Sequence, residues 1–285
     1  MKTEMIAILV VYFGFIFAEI LRTNFFKKAR QRTKDGIVEL IGSLVLVLIT
    51  QPLILAAIYF IGLRFFPDYQ DALIAIPLIA KIAMLLIFDD MTQYWWHRTS
   101  HSVPWLYALH RSHHDANYMS IRIVYRNNIF YYAMMPGIWA SGVMIFLGLG
   151  WVYAVYIVVK MAVICGAHSD IRWEKKLYDI KWLSPVMWVV ERTISTSATH
   201  SAHHGQFGDD PATNYKGNYG NLLFFWDILF GTAKITRTYP KHYGVENLPA
   251  VGVGEQLLWP LIKGPKDAPM EGMDVSPEDE IAPAE

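Results

Sequence analysis

Residues 90–114 read D-M-T-Q-Y-W-W-H-R-T-S-H-S-V-P-W-L-Y-A-L-H-R-S-H-H, from Asp90 to His114, and hold five of the ten histidines. His97 and His101 stand four apart, and His110, His113 and His114 form H-x-x-H-H. Residues three and four apart on an α-helix are neighbours on its surface, so the spacing predicts that each group aims its imidazoles at one point. A second H-x-x-H-H follows at His200, His203 and His204, with His168 between; only His242 falls outside 97–204. An isolated i, i+4 pair arises often by chance, and a histidine beside tryptophan is usually a packing residue. Two triplets and a pair in one window point instead to a metal site, because imidazole is the commonest side-chain ligand. His242, in K-H-Y without a partner at helical spacing, is read as a packing residue.

The chain has 285 residues, 54% of them apolar, and a positive mean hydropathy. The apolar residues come in blocks, and about 20 residues of helix match about 30 Å of hydrocarbon. The reading is an all-α integral membrane protein of about four to five transmembrane helices with a cytoplasmic helical cap over a dimetal site. Residues 5–21 form a first span. The segment from Arg22 to Lys34 carries six basic residues and no acid, which places it in the cytoplasm by the positive-inside rule. Residues 38–63 form a second span, with a kink expected at Pro52. A third begins near Ala72 and continues past the lipid through Tyr94, Trp95 and Trp96 to His97. Residues 129–165 fit two passes joined by a hairpin near Gly148 to Gly150, which returns every clustered histidine to one face. Residues 166–242, with Trp173, Trp182 and Trp188 among charges, suggest short helices against the interface. Three regions result: 1–37, an N-terminal membrane helix and basic loop; 38–263, the transmembrane and histidine-rich domain; and 264–285, a disordered acidic tail. The net charge is zero, which gives no reason to expect a nucleic-acid partner. Cys165 is the single cysteine, so no intrachain disulfide and no thiolate cluster can form, and its expected role is helix packing.

One first-row ion takes at most about six ligands and zinc usually four, so eight or nine convergent imidazoles argue for two ions. On count alone a dizinc hydrolase and a di-iron oxygen-using enzyme both stay open, as does a metal-binding or transport protein of the membrane. Transport would need ionisable residues within the spans, which hold few beyond Glu19 and Lys81. No Glu-x-x-His is present, unlike the soluble di-iron carboxylate bundles. Asp90 and Asp227 are the acids expected to orient ring N–H groups from behind the ligands.

The histidine pattern resembles that of the fatty acid hydroxylase and sterol desaturase superfamily: an H-x3-4-H box, an H-x-x-H-H box, one or two intervening histidines and a second H-x-x-H-H box. D-x-x-x-Y-W-x-H-R from Asp90 to Arg98 and N-Y-G-N-L-L-F-F-W-D-I-L-F-G-T from Asn218 to Thr232 agree with it, and the likeness covers roughly residues 75–235. What the resemblance implies is a di-iron site at the cytoplasmic membrane face, ligated by His97, His101, His110, His113, His114, His168, His200, His203 and His204. Some relatives have a histidine pair where this chain has His168 alone, leaving water, Asn128 or nothing in the second place. The implied reaction uses O2 and two Fe ions to hydroxylate a C–H bond of a membrane lipid, or, with loss of a second hydrogen, to desaturate it. Hydroxylation is the preferred outcome. Electrons come from an external reductase, ferredoxin or cytochrome, since the chain has no haem or ferredoxin motif. The T-x-x-H-S-A-H-H-G ending resembles bacterial sterol-desaturase-like and alkylglycerol-monooxygenase-like proteins, which implies a bacterial inner membrane.

Overall fold

The structure, a computed structural model, describes residues 2–23, 25–26, 34–248 and 251–264. The expected basic loop falls mainly on 24 and 27–33, and the expected acidic tail on 265–285; both lie outside the described residues. Among the described residues the chain is helical, with two isolated β-bridges, Ile194 to Leu223 and Gly205 to Tyr243, and no strand.

Helix α1, Lys2–Arg22, packs Val11, Tyr12, Phe15 and Ile16 against a cluster that includes Met161, Ile164 and the buried Cys165. Its other face leaves Leu9, Val10, Phe13, Phe17 and Leu21 exposed. Helix α2, Asp35–Phe65, continues through Pro52, with a π-helical turn at Leu46–Thr50 just ahead of the proline where a kink was expected. Helix α3 is one rod made of Leu78–Leu85, a π-helical turn at Leu86–Met91, and Thr92–Ser102. It starts six residues later than the sequence suggested. Pro77 precedes it in extended conformation, and a proline disfavours helix in the residue before it. Residues 71–75 instead form turns under the far end of the bundle, where Asp71 N donates to Phe146 O (3.0 Å) and Leu73 N to Leu147 O (2.8 Å).

Asp35–Phe65 (31 residues) and Pro136–His168 (33 residues) are long and apolar enough to cross a membrane, with 22% and 33% of their most apolar windows buried. Such low burial sets them apart from the core helices of a water-soluble protein. The second run is two helices. Gly148 has φ 103, a conformation open to glycine and not to residues with a Cβ. The chain turns there, so that Ala140 on one side and Tyr153 and Tyr156 on the other pack on the same cluster of Leu85, Met144, Leu149 and Val152. Helix α5, Pro136–Met144, leads into this turn and α6, Gly150–His168, leaves it. A buried ion pair joins α6 to α3: Lys160 Nζ and Tyr156 OH each reach Asp89 Oδ2 at 2.7 Å.

Beyond α3 the chain turns at Val103, extended ahead of Pro104, into α4, Pro104–His114. Proline suits the first turn of a helix, where its missing N–H is unneeded, so V-P both ends α3 and starts α4. After α6 come α7, Ser184–Thr193, α8, Ser197–His203, α9, Phe225–Phe230, and α10, Val253–Leu258.

Candidate metal centre

Four helices deliver nine imidazoles. The C-terminal turns of α3 bring His97 and His101, the last turn of α4 brings His110, His113 and His114, and His168 ends α6. The remaining three ride on α8, whose start is fixed by a reciprocal cap: Thr196 N donates to Thr199 Oγ1 (2.9 Å), and Thr199 N to Thr196 Oγ1 (3.3 Å).

The imidazoles assemble into two buried groups, His97, His101, His110, His114 and His203 in one, and His113, His168, His200 and His204 in the other. Within each group the ligand atoms lie within 4.8 Å of one another. The groups abut, with ring centroids of His114 and His204 at 4.3 Å and of His113 and His204 at 4.6 Å. The sequence reading, in which each triplet aims at one point, needs correction. Each triplet is divided: His110 and His114 join one group and His113 the other, while His200 and His204 join the second and His203 the first. At about 100° per residue, positions i and i+4 face within about 40° of each other, but i+3 turns about 100° away from i+4. One H-x-x-H-H therefore serves two centres.

Ring orientation is held from behind by oxygen atoms. Nδ1 of His97 faces Tyr219 O (2.7 Å), of His113 faces Ile123 O (2.9 Å), of His168 faces Ile164 O (2.8 Å) and of His203 faces Gly217 O (2.7 Å). His110 Nδ1 faces Asn127 Oδ1 at 2.9 Å. A carbonyl oxygen only accepts, so each of these Nδ1 atoms carries the proton and, in a neutral ring, turns a bare Nε2 lone pair inward. Burial holds the rings neutral. It pushes His97 down to about 4, and drives His101, His110, His113, His114, His200, His203 and His204 well below the ordinary imidazole value, with neighbouring histidines adding to the effect for all seven.

Those inward nitrogens approach closely. Nε2 of His203 and His97 lie 2.9 Å apart, His200 and His168 2.9 Å, His204 and His200 3.2 Å, His114 and His110 3.2 Å, and His168 and His113 3.4 Å. Between His97 and His203, both committed to Nδ1–H, no proton remains to be shared. Two nitrogens each about 2.1 Å from one ion lie about 3.0 Å apart at a right angle and about 3.4 Å apart at the tetrahedral angle. The observed spacings fit ligands around a metal, and the donor set is all nitrogen.

The two acids occupy a different place from the one expected. Asp227 accepts from Tyr219 N (2.8 Å), Gly220 N (2.7 Å) and Thr232 Oγ1 (2.6 Å). Asp90 Oδ2 accepts from Leu223 N (3.1 Å) and Trp226 Nε1 (2.8 Å). Neither bonds an imidazole; through Asp227 and through Asp90 Oδ2 they fix the 219–223 loop whose Tyr219 carbonyl holds His97. Asn128 is likewise turned away, accepting from Phe130 N and donating to Trp259 O (both 3.0 Å). Its neighbour Asn127 makes the contact to His110, a role the sequence reading missed. His242 lies apart, its ring against Phe207.

Buried acids pin the 115–128 segment that carries Ile123 and Asn127. Glu19 accepts from Ser120 Oγ (2.6 Å) and Ile121 N (3.0 Å), Glu39 pairs with Arg122 and Tyr118, and Arg126, fully buried, pairs with Asp35 at 2.8 Å. A cavity of ≈ 60 Å³ opens against His97, His110, His113 and His168, walled by Val124, Tyr125, Tyr131, Tyr132, Met135 and Ile164 and reached by Gln93 and Asn221. Gln93 stands four residues before His97 on the same helix face, a signal the sequence offered and the reading passed over.

Comparison with known proteins follows the same lines. Alkylglycerol monooxygenases of Danio rerio (28% identical over 143 residues), Xenopus tropicalis (28% over 151) and Homo sapiens (26% over 145) each align with 50% of this chain and 28% of their own length. The chain thus spans well under a third of those relatives. No solved structure matches it. The family model for fatty acid hydroxylase matches residues 82–232, over half of the sequence and every one of the nine grouped histidines. The chain belongs to the fatty acid hydroxylase family.

Proposed function

We propose that this protein is an O2-dependent di-iron membrane oxygenase that hydroxylates a C–H bond of a lipid bearing an alkyl chain. The observation that carries the reading is the pair of adjoining buried imidazole groups beside a cavity walled by apolar and aromatic side chains. Five imidazoles in one group exceed the four ligands zinc usually takes, which favours iron over a dizinc hydrolase. His97, His101, His110, His114 and His203 would hold one ion, and His113, His168, His200 and His204 the other. Bound iron would supply the reduction of O2 and the oxidation of an unactivated C–H bond, with electrons from an external donor.

The residues of this chain supply placement and exclusion of water. Tyr131, Met135, Val124 and Ile164 offer an alkyl group an apolar wall next to the imidazoles of His97, His110, His113 and His168. Carbonyl and amide oxygens behind His97, His110, His113, His168 and His203 keep their Nε2 atoms directed inward while substrate enters. In the proposed arrangement α1, α2, the first half of α3, α5 and α6 lie in the bilayer, and the histidine-bearing ends face the cytoplasm. Exposed Trp182, Val186, Trp188 and Val189 suit a cap resting on the interface. The alkylglycerol monooxygenase relatives support an ether lipid as a first substrate to try. Lipid mass spectrometry of cells with and without the protein tests the function: species gaining one oxygen are expected, species losing two hydrogens would make it a desaturase, and no change in any lipid class would overturn it.

A further inference from the structure

The Oε1 atom of Gln93 is buried and accepts no hydrogen bond from any described residue. Buried polar atoms in folded proteins nearly always have a partner, and one left bare at a cavity wall marks where a ligand completes the pairing. Gln93 lies one helical turn before His97 on α3, and both line the cavity against the imidazoles. Of the polar groups around it, Asn127 and Tyr132 are already engaged. Asn127 gives Oδ1 to His110 and Nδ2 to Tyr132 OH (both 2.9 Å), and Tyr132 OH in turn donates to Val124 O (3.2 Å). The rest of the wall combines the apolar Val124, Met135 and Ile164 with Tyr125, Tyr131 and Asn221, the last a second polar side chain that reaches the cavity.

Resting on the oxygenase reading, we propose that Gln93 is a specificity-determining residue: its side-chain oxygen selects lipids that carry a hydroxyl or amide N–H close to the carbon to be oxidised. A carbonyl oxygen can only accept, so an ether, an ester or a plain hydrocarbon end leaves it unpaired while a hydroxyl satisfies it. A site built to bond a hydroxyl rejects the analogue lacking it far more strongly than an apolar pocket rejects a missing methylene. At ≈ 60 Å³ the cavity takes the reacting end of the lipid and not its whole chain, which puts the donor and the target carbon near one another.

The test compares hexadecylglycerol with its di-O-methyl ether, which keeps every acceptor and loses both donors. Anaerobic competition against radiolabelled hexadecylglycerol on the iron-loaded protein reads binding without turnover. Wild type is expected to bind the free alcohol about tenfold tighter or more. Gln93→Leu should reduce that preference to less than about twofold with its iron content unchanged, and Gln93→Glu, which keeps an acceptor, should retain it. Equal binding of the two probes by wild type, or an undiminished preference in Gln93→Leu, overturns the assignment. Should Gln93→Leu fail to fold, the wild-type comparison and Gln93→Glu decide it. Discrimination between the probes without oxygenation in air, with a chemical reductant supplied as electron donor, would remove the oxidative reading and leave only the preference of Gln93 for a hydrogen-bond donor. Oxygenation of both probes with no preference would do the reverse.

Discussion

Replacing Asn127 by alanine should weaken one metal of the two and spare the other. Asn127 Oδ1 is the acceptor for His110 Nδ1, at 2.9 Å, and His110 belongs only to the group that also holds His97, His101, His114 and His203. Without that oxygen the buried Nδ1–H loses its partner, at a cost of about 1–3 kcal/mol, and the ring is free to turn. Loss of such a supporting bond typically lowers metal affinity about 10- to 100-fold, equivalent to about 1.4–2.7 kcal/mol. A chelator titration followed by elemental analysis should therefore show Asn127→Ala passing through a state with one ion per chain, at chelator concentrations that leave wild type with two. Asn127→Asp keeps an acceptor at the same place and should titrate close to wild type. Simultaneous loss of both ions from Asn127→Ala, or a curve matching wild type, would refute the division of the histidines into two separately supported groups.

Further substitutions probe the scaffold. Asp227→Asn sets an amide NH2 against a backbone N–H of Tyr219 or Gly220 and should cost about 2–4 kcal/mol. Asp90→Asn can place its NH2 where Oδ1 takes no bond and should cost below about 1 kcal/mol, so thermal unfolding of the two variants in detergent should separate them clearly. Gly220→Ala would bring a Cβ within 2.5 Å of Leu223 O and 2.8 Å of Asp227 Oδ2; it is expected to lower stability by about 1–3 kcal/mol or more and to reduce iron content together with stability. Burial raises the Glu174 carboxyl, whose Oε1 accepts from Ala198 N at the start of α8. The folded protein then holds that proton to a higher pH than the unfolded chain does, so wild type loses stability as pH rises from the ordinary carboxylate range to the raised value. Glu174→Gln lacks this loss, and its Tm relative to wild type should climb across the same interval.

The centre was legible because metal ligation leaves a dense, local mark: eight of the nine histidines stand at helical spacings and identify the elements that meet, while the division into five and four, which the sequence reading missed, follows from how those helix faces diverge. Gly148 was legible as a turn for the same reason, since only a break lets so long an apolar run fold back. Loop contacts were not. That carbonyls of Tyr219, Gly217 and Ile123 would hold the rings depends on where backbone from distant segments comes to rest, and any residue type can supply a carbonyl. Asp90 and Asp227 were therefore given a task that peptide oxygens perform, while the acids themselves fasten the loop. Asn127 and Asn128 differ in the sequence only by one position, and the turn between α4 and α5 decides which of them reaches His110.

Metal content of the anaerobically purified protein tests the central claim most directly. The account predicts close to two iron ions per chain, with His203→Ala and His113→Ala each losing metal from a different group. One ion per chain, or two zinc ions retained after expression in iron-rich medium, would contradict it.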